Sequence, residues 1–134
     1  QSWIDVGRRL NGHKRITPGN HDKVGPAVYA AAGFQKLCGA KELQVAGLRL
    51  LCTHYPVHES SLFSRDWSVH GHTHEKPDIR PIITRDGMAK GWLNVSVERI
   101  GYKPIHVEEV AKLVKQMRLE ALSMAPNAVT YSTD

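Results

Sequence analysis

The sequence predicts an α/β fold. Helix-like segments alternate with short β-prone runs, and three of those runs stop at loops marked by Gly or Pro: RITPGNHD, LLCTHYP and WSVHGHTH. Near the end of the chain comes an amphipathic stretch, with apolar residues at helical spacing and charge on the opposite face. A chain of 134 residues is one domain or most of one, enough to bury a single core.

The elements follow in order. SWIDVGRRL, residues 2–10, predicts a helix in which Ser2 caps, Trp3, Ile4 and Leu10 share a face, and Gly12 ends the element. RIT, 15–17, predicts a short strand stopped by Pro18-Gly19, which leaves GNHD in a loop at its end. PAVYAAAGF, 26–34, opens on proline and is rich in alanine, as a second helix would be. ELQVAGLRLLCTH, 42–54, reads as two strands about an Ala46-Gly47 turn, with THYP leaving the second. WSVHGHTHE, 67–75, is again a short apolar run followed by a loop, here opened by Gly71. Residues 79–100 predict a hairpin about Asp86-Gly87, and 107–122 a helix whose apolar face carries Val107, Val110, Val114 and Met117. On this reading residues 1–124 form a single domain and 125–134 a flexible tail.

Bulk composition narrows the class. A hydrophobic fraction of 41% and a charged fraction of 23% are ordinary for a globular protein, and no apolar run is long enough to span a bilayer, so no membrane partner is expected. Cys38 and Cys52 stand singly, without metal-type spacing, which predicts reduced thiols and a cytoplasmic protein. The net charge of +5 suits a phosphate-bearing partner, but the basic residues are scattered apart from groups such as His13-Lys14-Arg15. The chain opens on Gln1 at the edge of a helical segment, which predicts further sequence ahead of it.

The three strand-end loops carry the chemistry. Neutral imidazoles and an amide oxygen suit first-row divalent ions better than Ca²⁺, which prefers an all-oxygen shell. His72 and His74 are two apart: in a strand they would share a face, and in a turn they could address two neighbouring metals. Glycines at 19 and 71 would let the backbone approach closely. Other residues have plainer readings. His13, His58 and His106 read as surface or hydrogen-bonded residues, His106 as a cap or flank of the last helix, and His70 as structural. Trp67 and Trp92 read as core or rim, and Asp66, Glu75 and Asp78 as solvated loop acids.

PGNHD, THYP and HGHTH, in that order, resemble the later signature blocks of the calcineurin-like metallophosphoesterases. NVSVERIGYKPI, 94–105, is similar to the closing segment of small bacterial and phage members, and the likeness runs from about Arg15 to Lys115. The resemblance implies a sandwich of two mixed β-sheets flanked by helices, and two divalent metal ions: Mn²⁺ first, with Zn²⁺, Fe²⁺ or Ni²⁺ as alternatives. It implies that Asn20, His54 and His72 bind the second metal and His74 the first. His21 would sit beside the phosphate, stabilising charge or protonating the leaving oxygen, with Asp22 holding and polarising its imidazole. A small phosphomonoester or phosphodiester would be hydrolysed by the two-metal route.

The chain departs from the family pattern at its start. An Asp-x-His block and a Gly-Asp block should precede GNHD, and neither occurs; the one acid upstream, Asp5, lies in the expected first helix. Asn20, His54, His72 and His74 are all neutral, whereas two divalent ions about 3.5–4 Å apart need anionic ligands between them. The expectation is that this chain alone holds at most one metal, weakly, and turns over little. A missing N-terminal segment or a partner chain would complete the site and supply the absent first strands. Two other readings stand beside the phosphoesterase: a non-catalytic binding or scaffold remnant of the fold, and a nuclease. The nuclease, and with it a nucleic-acid partner, is supported only by the basic balance.

Overall fold

Ser2 starts the first helix by accepting the Asp5 N–H on its hydroxyl at 3.2 Å. A computed structural model of the chain describes residues 2–124. These fall into two compact units divided between Lys41 and Glu42. In the first unit α1 (Trp3–Arg9) and α2 (Pro26–Ala31) accompany a parallel pair, β1 (Lys14–Ile16) and β2 (Phe34–Leu37). Pro26 opens α2, where its missing N–H costs nothing. Gly33, at φ 89°, ends the helical path sooner than the sequence suggests, so Phe34 begins a strand. Trp3, Tyr29 and Phe34 meet edge to face, with centroids 5.2–6.4 Å apart. Gly7 lets α1 approach α2, because a Cβ there would lie 2.2 Å from the Ala32 carbonyl oxygen.

The second unit is built on a five-stranded sheet. Its strands are β3 (Ala40–Val45, whose first two residues precede the unit boundary), β4 (Leu48–Thr53), β5 (Trp67–His70), β6 (Ile82–Ile83) and β7 (Ala89–Asn94), in the order β3-β4-β5-β7-β6. β4, β5 and β7 run parallel, and β6 runs antiparallel to β7. The β3–β4 turn has both central residues left-handed, Ala46 at 51° and Gly47 at 79°, which suits the twist of a tight hairpin. Between Asn94 and the last helix, a single turn α3 (Val97–Ile100) replaces the strand continuation that the β-branched run suggests. α4 (Val107–Ser123) starts at His106, whose ring accepts the Glu108 N–H, as expected of a cap.

α4 packs on β6 and β7, and its Val110, Ala111 and Val114 join Leu48, Leu50, Trp67, Ile83 and Leu93 in the core. Trp67 is fully buried and Trp92 nearly so, in line with the core reading. Space for the Trp67 ring exists because residue 91 is glycine: a Cβ there would lie 2.3 Å from Cζ2. Asp66 is not the solvated acid of the sequence reading. Its carboxylate accepts the Arg49 backbone N–H and an Arg118 guanidinium N–H, each at 2.7 Å, tying the start of β5 to β4 and α4.

The architecture is therefore α/β, with a mixed five-stranded sheet, a parallel pair and helices. Residues 125–134, read from sequence as a flexible tail, lie outside the described residues. Among the described residues no helix is long and apolar enough to cross a membrane.

Candidate metal centre

Parallel pairing of β4, β5 and β7 brings their C-terminal ends to one edge of the sheet. Thr53, His70 and Asn94 stand in register across the three strands. Whatever follows those residues is gathered at that edge, the usual place for ligands on parallel sheets. His54 follows β4, the GHTH turn follows β5, and Ser96 to Glu98 follow β7.

His54 Nε2 lies 3.2 Å from His72 Nδ1. The Gly71 N–H donates to the His54 carbonyl at 3.1 Å and holds the two chain ends together. Tyr55 meets His54 edge-on and His72 at a tilt, its centroid 4.9 Å from that of His54 and 4.4 Å from that of His72. Two nitrogens each about 2.0–2.1 Å from a tetrahedral ion are separated by roughly 3.3 Å, so this pair fits one divalent cation.

The turn itself is strained at its histidines. His72 has φ 66° and His74 φ 50°, in the left-handed region that costs an L-residue about 1–2 kcal/mol. Gly71, expected to let the backbone approach closely, makes no such approach: a Cβ there would make only ordinary contacts at 3.9 Å. Two left-handed residues spaced by one direct the imidazoles to different partners. His72 turns to His54, and His74 Nδ1 reaches Glu98 Oε2 at 2.7 Å. Residues 72–76 line a shallow pocket of about 170 Å³.

Two residues of this edge were not picked out from sequence. Glu98, half-buried at the start of α3, brings a carboxylate to the GHTH turn, and His74, Glu75 and Glu98 offer donor atoms within 4.8 Å of one another. Its own backbone N–H, and next the His74 ring, hold the Glu98 carboxyl below the usual glutamate range. The second is Asn94, 2% exposed. Its Nδ2 donates to the carbonyls of His74 and Lys76 at 2.9 and 3.0 Å, and its Oδ1 accepts the Ser96 N–H at 3.0 Å. The Asn94 N–H donates to Asp78 at 2.6 Å, and Asp78 faces Arg99 at 3.5 Å, so Asp78 is a structural acid rather than a solvated one. An Asn at a strand end with Ser two residues on was the available signal. His70 is buried, with Nδ1 2.8 Å from the Gly71 carbonyl oxygen and Nε2 without a hydrogen-bond partner among the described residues.

Asn20, His21 and Asp22 lie in the first unit. There Asp22 Oδ2 accepts the Gly19 N–H at 2.7 Å, and the Asp22 N–H returns to the Gly19 carbonyl at 3.1 Å. The carboxylate that the resemblance assigns to the His21 ring thus closes the turn carrying His21. Asn20 and His21 are both exposed. Burial, and then the Asp22 charge, raises the Tyr29 hydroxyl, which donates to the Asp22 carbonyl at 3.3 Å.

No family model matches the chain. An uncharacterized protein of Methanocaldococcus jannaschii is 30% identical over 112 residues, an alignment covering 80% of this chain and 53% of that protein. The chain thus spans about half the length of this curated relative. Among solved structures, a protein of unknown function from Aquifex aeolicus matches with a TM-score of 0.59 and 27% identity, over 82% of this chain and 66% of that one. An archaeal phosphodiesterase aligns at a TM-score of 0.40 and 21% identity, over 66% of this chain and 57% of its own, a likeness too low to carry an argument. The chain therefore shares most of its own length, and half to two thirds of theirs, with proteins of uncharacterized function from Methanocaldococcus jannaschii and Aquifex aeolicus.

Proposed function

We propose that the chain is part of a metal-dependent phosphoesterase, with the sheet edge around His54, His72 and His74 as its metal-binding side. The observation that supports this most is the 3.2 Å approach of His54 Nε2 to His72 Nδ1 at the ends of adjacent parallel strands. His54 and His72 would hold one ion and His74 the other, Mn²⁺ being the first choice. The metal pair, when bound, would supply an activated hydroxide and neutralise phosphoryl oxygens. His21 would protonate the leaving oxygen, and Asp22 would keep its loop closed through Gly19.

Charge decides how much of this one chain can do. Neutral ligands leave the repulsion between two dications uncompensated, and Glu98 and Glu75 offset only part of it. The remaining anionic ligands would come from sequence beyond these residues or from a partner chain. A small phosphorylated substrate is proposed over a polymer because the basic residues are scattered apart from groups such as His13-Lys14-Arg15.

Equilibrium dialysis against Mn²⁺ tests the reading. The 134-residue chain should take up one ion or fewer, and a His54→Ala/His72→Ala variant much less. Two tightly bound ions would overturn the charge argument. Unchanged uptake by the double variant would remove the site. In the protein with its anionic ligands complete, His21→Ala should slow hydrolysis of p-nitrophenyl phosphate and bis(p-nitrophenyl) phosphate while retaining metal.

A further inference from the structure

The contact between His74 and Glu98 carries more than a surface ion pair. We propose that Glu98 is a positioning residue for His74: it holds the ring as the Nδ1–H tautomer and so presents Nε2 as the metal-ligating nitrogen. This rests on the metal reading above.

The chemistry follows from the donor inventory. An ionised carboxylate only accepts hydrogen bonds, so across the 2.7 Å between His74 Nδ1 and Glu98 Oε2 the proton belongs to Nδ1. A neutral imidazole carries one N–H, which leaves the Nε2 lone pair available. Metal-ligating histidines are commonly oriented by such a carboxylate on the other nitrogen, which also raises ligand basicity. The negative charge is useful here, where the histidine donors bring none.

Packing shows which partner orients the other. The His74 side chain is 69% exposed, and that of Glu98 only 23%. An exposed imidazole on a left-handed residue has several orientations open to it, and the better-packed acid selects one. Asn94 ties the two together. It bonds the His74 carbonyl through Nδ2 and, through Oδ1, the N–H of Ser96 at the head of α3, the turn that carries Glu98. The pair is thus mounted on a single buried residue at the end of β7.

Direct ligation by Glu98, together with His74 and Glu75, is the competing role, and the two differ in what glutamine can replace. In Glu98→Gln the amide carbonyl oxygen still accepts from Nδ1–H, whereas it is a poor substitute for an anionic ligand. The experiment uses long-range ¹H–¹⁵N NMR of the metal-free chain to read the His74 tautomer. Titration with Zn²⁺, which binds imidazole more tightly than Mn²⁺ and is diamagnetic, followed at the His74 ring nitrogens, reads affinity at that ring rather than at the His54–His72 pair. In the wild type, His74 should show a protonated Nδ1 and an unprotonated Nε2. Glu98→Ala should mix the tautomers and weaken Zn²⁺ binding roughly 10–100-fold. Glu98→Gln should restore the tautomer and recover part of the affinity. A neutral wild-type His74 ring protonated on Nε2 in place of Nδ1 overturns the proposal, and this reading needs no variant to fold. An unchanged affinity in Glu98→Ala also overturns it, as does Glu98→Gln losing as much as Glu98→Ala, which would make Glu98 a ligand. A wild-type chain that takes up no Zn²⁺ overturns the metal reading itself, and the tautomer, measured without metal, separates that failure from a failure of Glu98.

Discussion

The side-chain amide of Asn94 donates to the carbonyl oxygen of His74 at 2.9 Å across twenty residues of sequence. It makes the end of β7 the support for the turn at the end of β5.

Replacing Asn94 should therefore cost both stability and metal. Asn94→Ala leaves the carbonyls of His74 and Lys76 and the Ser96 N–H without their buried partner. At roughly 1 kcal/mol per lost bond, with an added penalty for groups left unsatisfied, the loss should be about 2–4 kcal/mol in urea unfolding. Mn²⁺ uptake should fall with it. A stability change under about 1 kcal/mol would mean that the brace is dispensable.

Gly91 offers a test of the core. A methyl group there would meet the Trp67 ring at 2.3 Å, and the ring is fully buried. Gly91→Ala should destabilise by about 1–3 kcal/mol, the usual cost of overpacking, and perturb tryptophan fluorescence in the folded state. A variant as stable as the wild type would contradict the packing described for β5 and β7.

The left-handed backbone at His72 can be isolated from its side chain. His72→Ala and His72→Gly both remove the imidazole, but only glycine adopts φ 66° without strain. The glycine variant should be the more stable by about 1 kcal/mol in denaturant titration, and both should lose affinity for Mn²⁺. Equal stability of the two would mean that the turn relaxes once the ring is gone.

Acid should weaken the second unit through Glu42. Hydrogen bonds from Arg65 first, then Gln44 and Arg49, hold its carboxyl below the ordinary value of 4.5. Because the folded value is the lower one, the stabilisation is complete above the ordinary value and is lost as pH falls through the folded value. Asp86, held down chiefly by the Thr84 hydroxyl, and Glu98 act in the same direction. The urea midpoint should drop as pH is taken below about 4.5, and Glu42→Gln should show a shallower drop from a lower neutral-pH midpoint. An acid limb unaltered by the substitution would assign the loss to other carboxylates.

Legibility in the sequence followed the range of the interactions. Pro18, Gly47 and Gly87 are local punctuation, so the strand ends and turns could be read directly, and with them the loops that carry the histidines. The helical period at 107–122 was equally plain and matches α4. Non-local pairings left no such trace. Glu98 meets His74 from 24 residues away, and the Val-Ser-Val run before it has strand-like composition although it leads into a helical turn. Asp66 and Asp78 looked like solvated acids because their partners, Arg118, Arg99 and the backbone of Arg49 and Asn94, are supplied by other elements. The left-handed histidines ran against propensity, which would have put glycine there. Such conflicts concentrate at functional sites.

The row Thr53, His70 and Asn94 has a kinetic meaning as well. Its members come from strands that pair with one another in parallel, so those pairings must wait for a long stretch of intervening chain to be organised. The loops behind that row should therefore take their final places only once those pairings have formed. An ion held there has affinity for the finished sheet and almost none for its precursors. Its concentration would set how long the folded chain survives without adding anything to the speed at which it forms.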